Sequence, residues 1–191
     1  PAEADVNLVL ASRNDHKARE FAELIPGWRV RPLPPEVTLP PETGETFAEN
    51  ALVKARTAAA ATGQPAIADD SGIVAEALGG APGVRSARFA GDDATDAENL
   101  ALLRERVPAG SALAYHCAIA YSGPQGEFVV EGRCGGTMAA EPRGEGGFGY
   151  DPVFVCDDDP AGRTMAELEP SEKAAISHRG RAARLLAERL G

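Results

Sequence analysis

The amino-acid sequence predicts an α/β fold with a mixed β-sheet. Short apolar runs alternate with stretches of helical spacing in the first half of the chain, and two longer apolar runs flank a glycine-containing turn in the second half. The composition, 43% hydrophobic and 25% charged, is that of an ordinary globular protein. With 191 residues, the chain corresponds to one domain, or to one domain with two lobes.

Strands and helices alternate in the first half of the chain. Apolar runs predict strands over residues 6–11, 28–33 and 65–70. The spacing of apolar residues over Lys17–Leu24 predicts a helix, which Pro26-Gly27 ends. This alternation is the pattern that favours an α/β architecture.

Turn residues and helix caps separate these elements. Five prolines within residues 32–41 predict a loop. Two capping-box patterns, TFAE and TDAE, predict helices over residues 46–62 and 95–107. The glycines of residues 72–91 predict that this stretch is mainly loop.

The second half of the chain predicts a hairpin followed by a helix. Apolar runs over residues 113–121 and 127–132 predict two paired strands. Glycines over residues 135–149 predict a loop, and residues 153–156 predict a short strand. The C-terminal stretch, residues 177–190, has helical apolar spacing.

Charge and cysteine content exclude several classes of function. The formal net charge of −10 argues against general binding of nucleic acids or anionic membranes. No run approaches 18 apolar residues and no secretory signal is visible, so we expect no membrane span and a cytoplasmic location. The three cysteines form no CxxC motif, which favours reduced thiols over disulfides or a zinc site.

A candidate phosphate loop, Ser12–Lys17, lies between the first predicted strand and helix. Backbone N–H groups at a helix N-terminus suit a phosphate, Ser12 and Asn14 can donate hydrogen bonds, and Lys17 adds a positive charge. Only three of the nineteen basic residues are lysines, Lys17, Lys54 and Lys173, which draws attention to each. In the alternative interpretation, Asn14 merely caps the helix, and Lys17 and Lys54 are solvated.

Two adjacent carboxylates, Asp69 and Asp70, stand at the end of a predicted strand before Ser71-Gly72. Like charges this close repel each other unless a cation or a proton compensates. Mg²⁺ takes one or two carboxylates together with substrate phosphate oxygens. Gly72 would permit the sharp turn that follows this pair. The alternative is a solvated strand end with Asx-turn chemistry.

Two further segments favour the recognition of a planar base. Phe148 lies between glycines in GGFGYDP, so that a base can stack on its ring, and Asp151 can accept a hydrogen bond from the base edge. His178 and Arg179 follow Ser177, a candidate N-cap, and place donors where a helix dipole disfavours cations. The alternatives are a turn between two strands with Phe148 and Tyr150 as core anchors, and an exposed His-Arg pair.

Together these segments supply what a nucleoside triphosphate site requires. The sequence contains no GxSxG, no HExxH and no GxGxxG after a strand, which argues against a serine hydrolase, a zinc protease and a dinucleotide enzyme. Five segments, in order, resemble the inosine triphosphate pyrophosphatase family: SRNDHKAREF, ETGETFAENALVKA, IADDSGIVAEALGGAPGVRSARFAG, GGFGYDPVF and EKAAISHRGRA.

The resemblance, which runs from Leu8 to Leu190, implies both a fold and an activity. It implies one two-lobed domain over residues 1–191, with a long mixed sheet, a cleft between the lobes, and assembly into a homodimer. It also implies Mg²⁺-dependent hydrolysis of ITP, dITP and XTP to the monophosphate and pyrophosphate, which cleanses the nucleotide pool before these nucleotides enter DNA or RNA.

The resemblance also assigns roles to residues. Asp70 would be the general base and a magnesium ligand, with Asp69 beside it. A glutamate of the ETGETF segment joins the metal; Pro41 stands where some relatives carry Glu, which leaves Glu42 as the best candidate and Glu45 or Glu49 as alternatives. The residues implied to bind substrate are Ser12, Arg13, Asn14, Asp15, His16, Lys17, Ser71, Phe148, Gly149, Tyr150, Asp151, Lys173, His178 and Arg179.

Two other functions compete with this one. A house-cleaning pyrophosphatase of the related Maf-like group would act on other altered nucleotides. A nucleotide-binding sensor without turnover would not need the Asp69-Asp70 pair, so magnesium-dependent release of pyrophosphate separates it from an enzyme.

Overall fold

The computed structural model describes residues 7–25 and 27–191, except the side chains of Asp15 and His16. The chain divides into two compact units. Unit 1 comprises the chain up to Asp70, Ala118–Glu131 and Ala182–Gly191; unit 2 comprises Ser71–Cys117 and Gly132–Arg181. That both units form one domain stays a prediction.

The mixed α/β architecture predicted from the sequence is confirmed. Within the described residues, six strands form one sheet in the order β2-β1-β3-β4-β5-β6. The strand β1 pairs in parallel with β2 and β3, whereas β5 and β6 are antiparallel. The strands are β1 (Asn7–Leu10), β2 (Arg29–Pro32), β3 (Ala66–Ala75), β4 (Ala112–Gly123), β5 (Gly126–Met138) and β6 (Phe154–Cys156).

The helices begin where the caps predict. Both capping boxes form, at Thr46 and Thr95, and Ser177 Oγ accepts the Gly180 N–H at 3.1 Å as the predicted N-cap. The seven residues before Ser177 form a short helix that was not predicted from the sequence, because its roughly two turns carry no readable apolar period. The helices are α1 (Asp15–Leu24), α2 (Phe47–Thr62), α3 (Asp96–Arg106), α4 (Pro170–Ile176) and α5 (His178–Leu190).

Two glycine-based predictions are wrong. Strand β3 does not end at Asp70 but continues through Gly72 to Ala75, and β5 continues to Met138, inside the predicted glycine loop. At Gly136 a Cβ would lie 2.3 Å from the Val155 carbonyl oxygen. Here glycine permits close packing of neighbouring strands rather than a turn.

Each unit has its own apolar core. In unit 1, alanines on one face of α2 let the helix lie close to the sheet. In unit 2, the core combines aromatic, sulfur-containing and branched side chains, among them Tyr115, Tyr150 and Phe154. The unit 1 core comprises Val9, Ala11, Leu33, Val37, Ala51, Ala55, Ala58, Ala66, Ala68, Ala118 and Ala120.

The cysteines are free thiols, and all three are buried. Cys134 and Cys156 lie side by side, with their sulfur atoms 2.9 Å apart. In residues 7–25 and 27–191, the helices all fall short of the length and apolar character that crossing a bilayer requires.

Candidate functional site

Helix α2 carries two polar side chains on its otherwise alanine-lined buried face. Asn50 and Lys54 are four residues apart and therefore on the same side of the helix. Both are buried, at 4% and 8% exposure. A buried lysine is costly unless it is paired, so the interpretation of Lys54 as a solvated helix residue is wrong.

Lys54 lies among acidic groups of unit 1. Its Nζ donates to Glu42 Oε1 at 2.5 Å and to the Asp69 carbonyl oxygen at 2.8 Å. Burial acts to lower the pKa of Lys54, but the attraction of Asp69, Glu42 and Asp70 outweighs it and raises that pKa. Lys54 is therefore a permanent cation within this cluster.

The two adjacent aspartates are buried within β3, at 1% and 6% exposure, so the solvated strand end is excluded. Asp69 Oδ2 pairs with Lys17 Nζ at 3.0 Å, while Asp70 Oδ2 accepts from Asn50 Nδ2 at 2.9 Å. Burial raises the pKa of Asp70, and the nearby charge of Glu42 raises it further, against the opposing effects of Lys54, Asn50 and Lys17. A carboxylate with a raised pKa is a stronger base, as proton abstraction requires.

The structure fixes the orientation of Asn50. Its Oδ1 accepts the Gly44 N–H at 2.8 Å, which turns the amide nitrogen toward Asp70. A cavity of about 200 Å³ is bounded by Pro40–Gly44 and the facing side of α2, including Asn50 and Lys54. This volume is below that of a typical pocket for a whole organic ligand, and it suits a phosphate or a hydrated cation.

The candidate phosphate loop is ordered by its own polar side chains. Ser12 Oγ accepts the Asn14 N–H, and Asn14 Oδ1 accepts the Lys17 N–H at the start of α1, both at 3.1 Å. Asn14 therefore caps the helix, as the alternative proposed, but Lys17 reaches Asp69 and is not solvated. Arg13 donates to the Val37 carbonyl oxygen at 2.9 Å and so anchors the proline-rich loop. The side chains of Asp15 and His16 lie outside the described residues.

Glu49 is committed to the helix cap. Its Oε2 accepts the N–H groups of Glu45 and Thr46, at 2.8 and 3.2 Å. Glu42 instead faces Lys54 and contributes to the pKa of Asp70. Of the three candidate glutamates, Glu42 is thus the one whose contacts tie it to Asp70.

In unit 2, Asp151 joins several predicted site residues. Its Oδ2 accepts from Lys173 Nζ at 2.7 Å and from the Phe148 N–H at 2.9 Å, and its Oδ1 accepts from Tyr115 at 3.2 Å. At Gly147, which has φ +70°, a Cβ would lie 2.1 Å from Asp151 Oδ2. Only glycine fits there, since the position combines a left-handed backbone with the carboxylate.

Phe148 presents a half-buried ring, not a core anchor. Lys173 Nζ lies 5.3 Å from the ring centroid and the Arg179 guanidinium 5.6 Å from it, which are cation–π distances. By contrast, Tyr150 is a core anchor: it is buried, and its hydroxyl donates to the Ser86 carbonyl oxygen at 2.6 Å. The Gly149 N–H donates to Asp96 at 3.1 Å.

His178 and Arg179 are buried at the start of α5, at 6% and 2% exposure, so the exposed alternative is excluded. Arg179 donates to Ser71 Oγ at 3.0 Å, and His178 stacks on Tyr115. The helix can begin this close to α4 because residue 180 is glycine: a Cβ there would lie 1.9 Å from the Ala174 carbonyl oxygen.

Sequence reasoning missed two side chains that touch this machinery. Asn50 has a readable signal, because it is an amide on a helix face that otherwise carries alanines and Lys54. Tyr115 has none, since a tyrosine in an apolar strand is ordinary core composition.

Comparisons with known proteins agree with the fold and the segments above. The model of the Ham1 family matches residues 8–189. A dITP/XTP pyrophosphatase of Geobacillus kaustophilus is 52% identical over 92% of this chain and 89% of its own length. One from Shigella flexneri is 47% identical over 96% of this chain and 97% of its own length.

Solved structures give the same result. A Ham1 protein from Coxiella burnetii superposes with a TM-score of 0.83 and 44% identity over 97% of this chain and 98% of its own. A nucleoside-triphosphatase / dITP/XTP pyrophosphatase from Mycobacterium abscessus gives a TM-score of 0.72 and 45% identity over 94% and 98%. With this coverage and identity, the chain belongs to the Ham1 family.

Proposed function

We propose that this chain hydrolyses the deaminated purine nucleoside triphosphates ITP, dITP and XTP to the monophosphate and pyrophosphate. The observation that carries the proposal is the set of buried and half-buried carboxylates and lysines in unit 1, which is suited to a charged triphosphate and a metal ion. Relatives named dITP/XTP pyrophosphatase support the substrate class. Such an enzyme cleanses the nucleotide pool before these nucleotides enter DNA or RNA.

The carboxylates of unit 1 fit a magnesium ion. Glu42 and Asp70 offer hard oxygen ligands, and they lie close enough for the charge of Glu42 to raise the pKa of Asp70. Mg²⁺ accepts such a pair together with phosphate oxygens of the substrate. Glu42 and Asp70 would hold the ion, which when bound neutralises triphosphate charge and orients the α-phosphorus.

Residues of unit 1 carry the proton transfer and charge compensation. Asp70 takes a proton from the water that attacks the α-phosphorus, and Asn50 holds the carboxylate in place. Lys17 and Lys54 offset the negative charge that develops on the departing pyrophosphate. The loop before α1, from Ser12, and the start of that helix would bind phosphate oxygens through the N–H groups that do not already donate within the loop.

Residues of unit 2 recognise the base. Phe148 offers a ring face for stacking, and His178 and Arg179 supply hydrogen-bond donors. Hypoxanthine and xanthine present a 6-keto acceptor, whereas adenine presents a 6-amino donor. Buried donors left unpaired can reject the wrong base by about 10⁴-fold or more. Guanine shares the 6-keto group, so a contact near its 2-position must exclude it.

A substrate screen tests the proposal. Pyrophosphate release is measured from ITP, dITP, XTP, GTP and ATP, with Mg²⁺ and with EDTA. We expect rapid release from the first three, little from GTP and ATP, and none without the metal. Binding of ITP without any release would instead identify a sensor, and a preference for other altered nucleotides would favour the Maf-like alternative.

We further propose that the chain forms a homodimer and acts in the cytoplasm. The support is the family to which it belongs. Sedimentation at micromolar concentration is expected to give a species of twice the 19.8 kDa chain mass. A single species at the chain mass would contradict the dimer.

A further inference from the structure

Tyr115 of β4 touches two of the predicted base-binding residues at once. Its ring lies parallel to that of His178, with 4.5 Å between the centroids and 9° between the planes. Its hydroxyl donates to Asp151 Oδ1 at 3.2 Å. All three residues belong to unit 2, and Tyr115 is 6% exposed.

The carboxylate that Tyr115 contacts, Asp151, also holds other site residues in place. Asp151 Oδ2 holds Lys173 Nζ at 2.7 Å and the Phe148 N–H at 2.9 Å. With Tyr115 on the other oxygen, three donors use three of the roughly four acceptor positions of a carboxylate. A shift of Asp151 would therefore move the stacking ring of Phe148 and the ammonium group of Lys173 together.

Tyr115 is itself held firmly. Phe154 packs against its ring, with 4.5 Å between centroids and a tilt of 38°. Burial raises the pKa of Tyr115 well above its ordinary value of 10.0, and the negative charge of Asp151 raises it further. The hydroxyl therefore stays protonated and remains a donor to Asp151 throughout the pH range of an enzyme assay.

We propose that Tyr115 is a positioning residue for base recognition, whose ring sets the plane of His178 and whose hydroxyl sets Asp151, Phe148 and Lys173. Hydrogen bonds weaken steeply when the donor is misaligned, so the discrimination between a 6-keto and a 6-amino purine depends on the plane of the imidazole. This inference rests on the proposed function, and it assigns to Tyr115 a role in the base specificity of that reaction.

The test separates positioning from a general structural role. Tyr115→Phe removes the hydroxyl alone, and Tyr115→Leu also removes the stacked ring. For Tyr115→Phe we expect KM for ITP to rise about ten-fold, the scale of one lost hydrogen bond to a charged group, with kcat changed by less than about two-fold. We expect the ratio of kcat/KM for ITP to that for ATP to stay near the wild-type value in Tyr115→Phe, which keeps the ring stacked on His178, and to fall in Tyr115→Leu, which loses that ring.

Tyr121→Phe is the matched control. Tyr121 lies on the same strand, is 3% exposed and stacks on Phe128 at 5.0 Å, all within unit 1. We expect this variant to keep the KM and the ITP-to-ATP ratio of the wild type.

Two results would overturn the inference, and they are distinguishable. If the wild type prefers ITP but Tyr115→Phe keeps the wild-type KM, the positioning role of the hydroxyl fails, and if Tyr115→Leu keeps the wild-type ratio, the role of the ring fails, even if either variant melts at a lower temperature. If the wild type hydrolyses ITP and ATP equally well, the proposed function fails and this inference fails with it. Should Tyr115→Leu not fold, the KM of Tyr115→Phe decides alone.

Discussion

Asp70 carries a carboxylate whose ionised form is disfavoured by burial and by the charge of Glu42. Replacing it with asparagine keeps the shape and the hydrogen bond from Asn50, because the amide oxygen can accept it. We expect Asp70→Asn to lower kcat at least ~100-fold, the scale of losing a general base. Removing a buried charge relieves desolvation, so the melting temperature should not fall.

Steady-state hydrolysis of ITP at saturating Mg²⁺, alongside thermal melting, measures both effects. Asp69→Asn is the comparison, because it breaks the ion pair with Lys17 at 3.0 Å. We expect this variant to have a lower kcat and also a lower melting temperature than the wild type. A folded Asp70→Asn enzyme with near-parental kcat would contradict this role and point to Asp69 or Glu42 as the general base.

The second prediction at the scale of residues concerns the contribution of the three lysines to ITP hydrolysis. Lys17 pairs with Asp69, Lys54 with Glu42, and Lys173 with Asp151, at 3.0, 2.5 and 2.7 Å. Each is a compact positive charge of the kind that binds phosphate. We expect Lys17→Ala and Lys173→Ala to lower kcat/KM for ITP more than about ten-fold, and Lys54→Ala to do the same through the loss of a buried cation.

The assay is ITP hydrolysis by each alanine variant. The control is Arg31→Ala, which removes an exposed cation and should leave the rate unchanged. Parental rates in all three lysine variants would show that the scarcity of lysine carries no functional meaning.

At the scale of elements, the start of α5 depends on a glycine. A methyl group at residue 180 would lie 1.9 Å from the Ala174 carbonyl oxygen. We expect Gly180→Ala to lower the free energy of unfolding by about 1–3 kcal/mol through overpacking, although alanine is the better helix former. Glu188→Ala, at an exposed position of the same helix, should change it by less than about 0.5 kcal/mol. An unchanged stability of Gly180→Ala in urea unfolding would contradict the close approach of α4 and α5.

The capping box of α3 gives a pH-dependent prediction. The N–H and hydroxyl of Thr95 donate to Glu98 at 2.7 and 2.8 Å, and these bonds, the N–H first, hold the pKa of Glu98 below its ordinary value of 4.5. An acid with a lowered pKa in the folded state stabilises the fold above its unfolded pKa, and this contribution is lost as the pH falls through the folded pKa.

Thermal melting of Glu98→Gln against pH tests the cap. We expect the variant to melt at a lower temperature than the wild type at pH 7, and the gap to close as the pH falls below 4.5. Glu105→Gln, at an exposed position of the same helix, is the control and should show no such gap. A gap that persists at low pH would contradict the role of the carboxylate.

At the scale of the whole molecule, patterns that are local in sequence predicted the fold well. Both capping boxes and the alternation of strands and helices are confirmed, since they depend on short-range spacing. The predictions at Gly72 and Gly136 were wrong, because a glycine alone does not show that the chain turns: β3 continues through Gly72, and Gly136 lets neighbouring strands pack closely. Asn50 and Tyr115 were missed for a related reason: their partners Asp70 and Asp151 are 20 and 36 residues away.

The most direct test of the account is the identity of the products formed from ITP and from ATP under the same conditions. Chromatography of the reaction with Mg²⁺ should give IMP and pyrophosphate in equal amounts from ITP, with turnover of ATP lower by orders of magnitude and both reactions lost in Asp70→Asn. Formation of IDP and phosphate, or equal turnover of ATP, would contradict the claim that this site is a pyrophosphatase selective for deaminated purines.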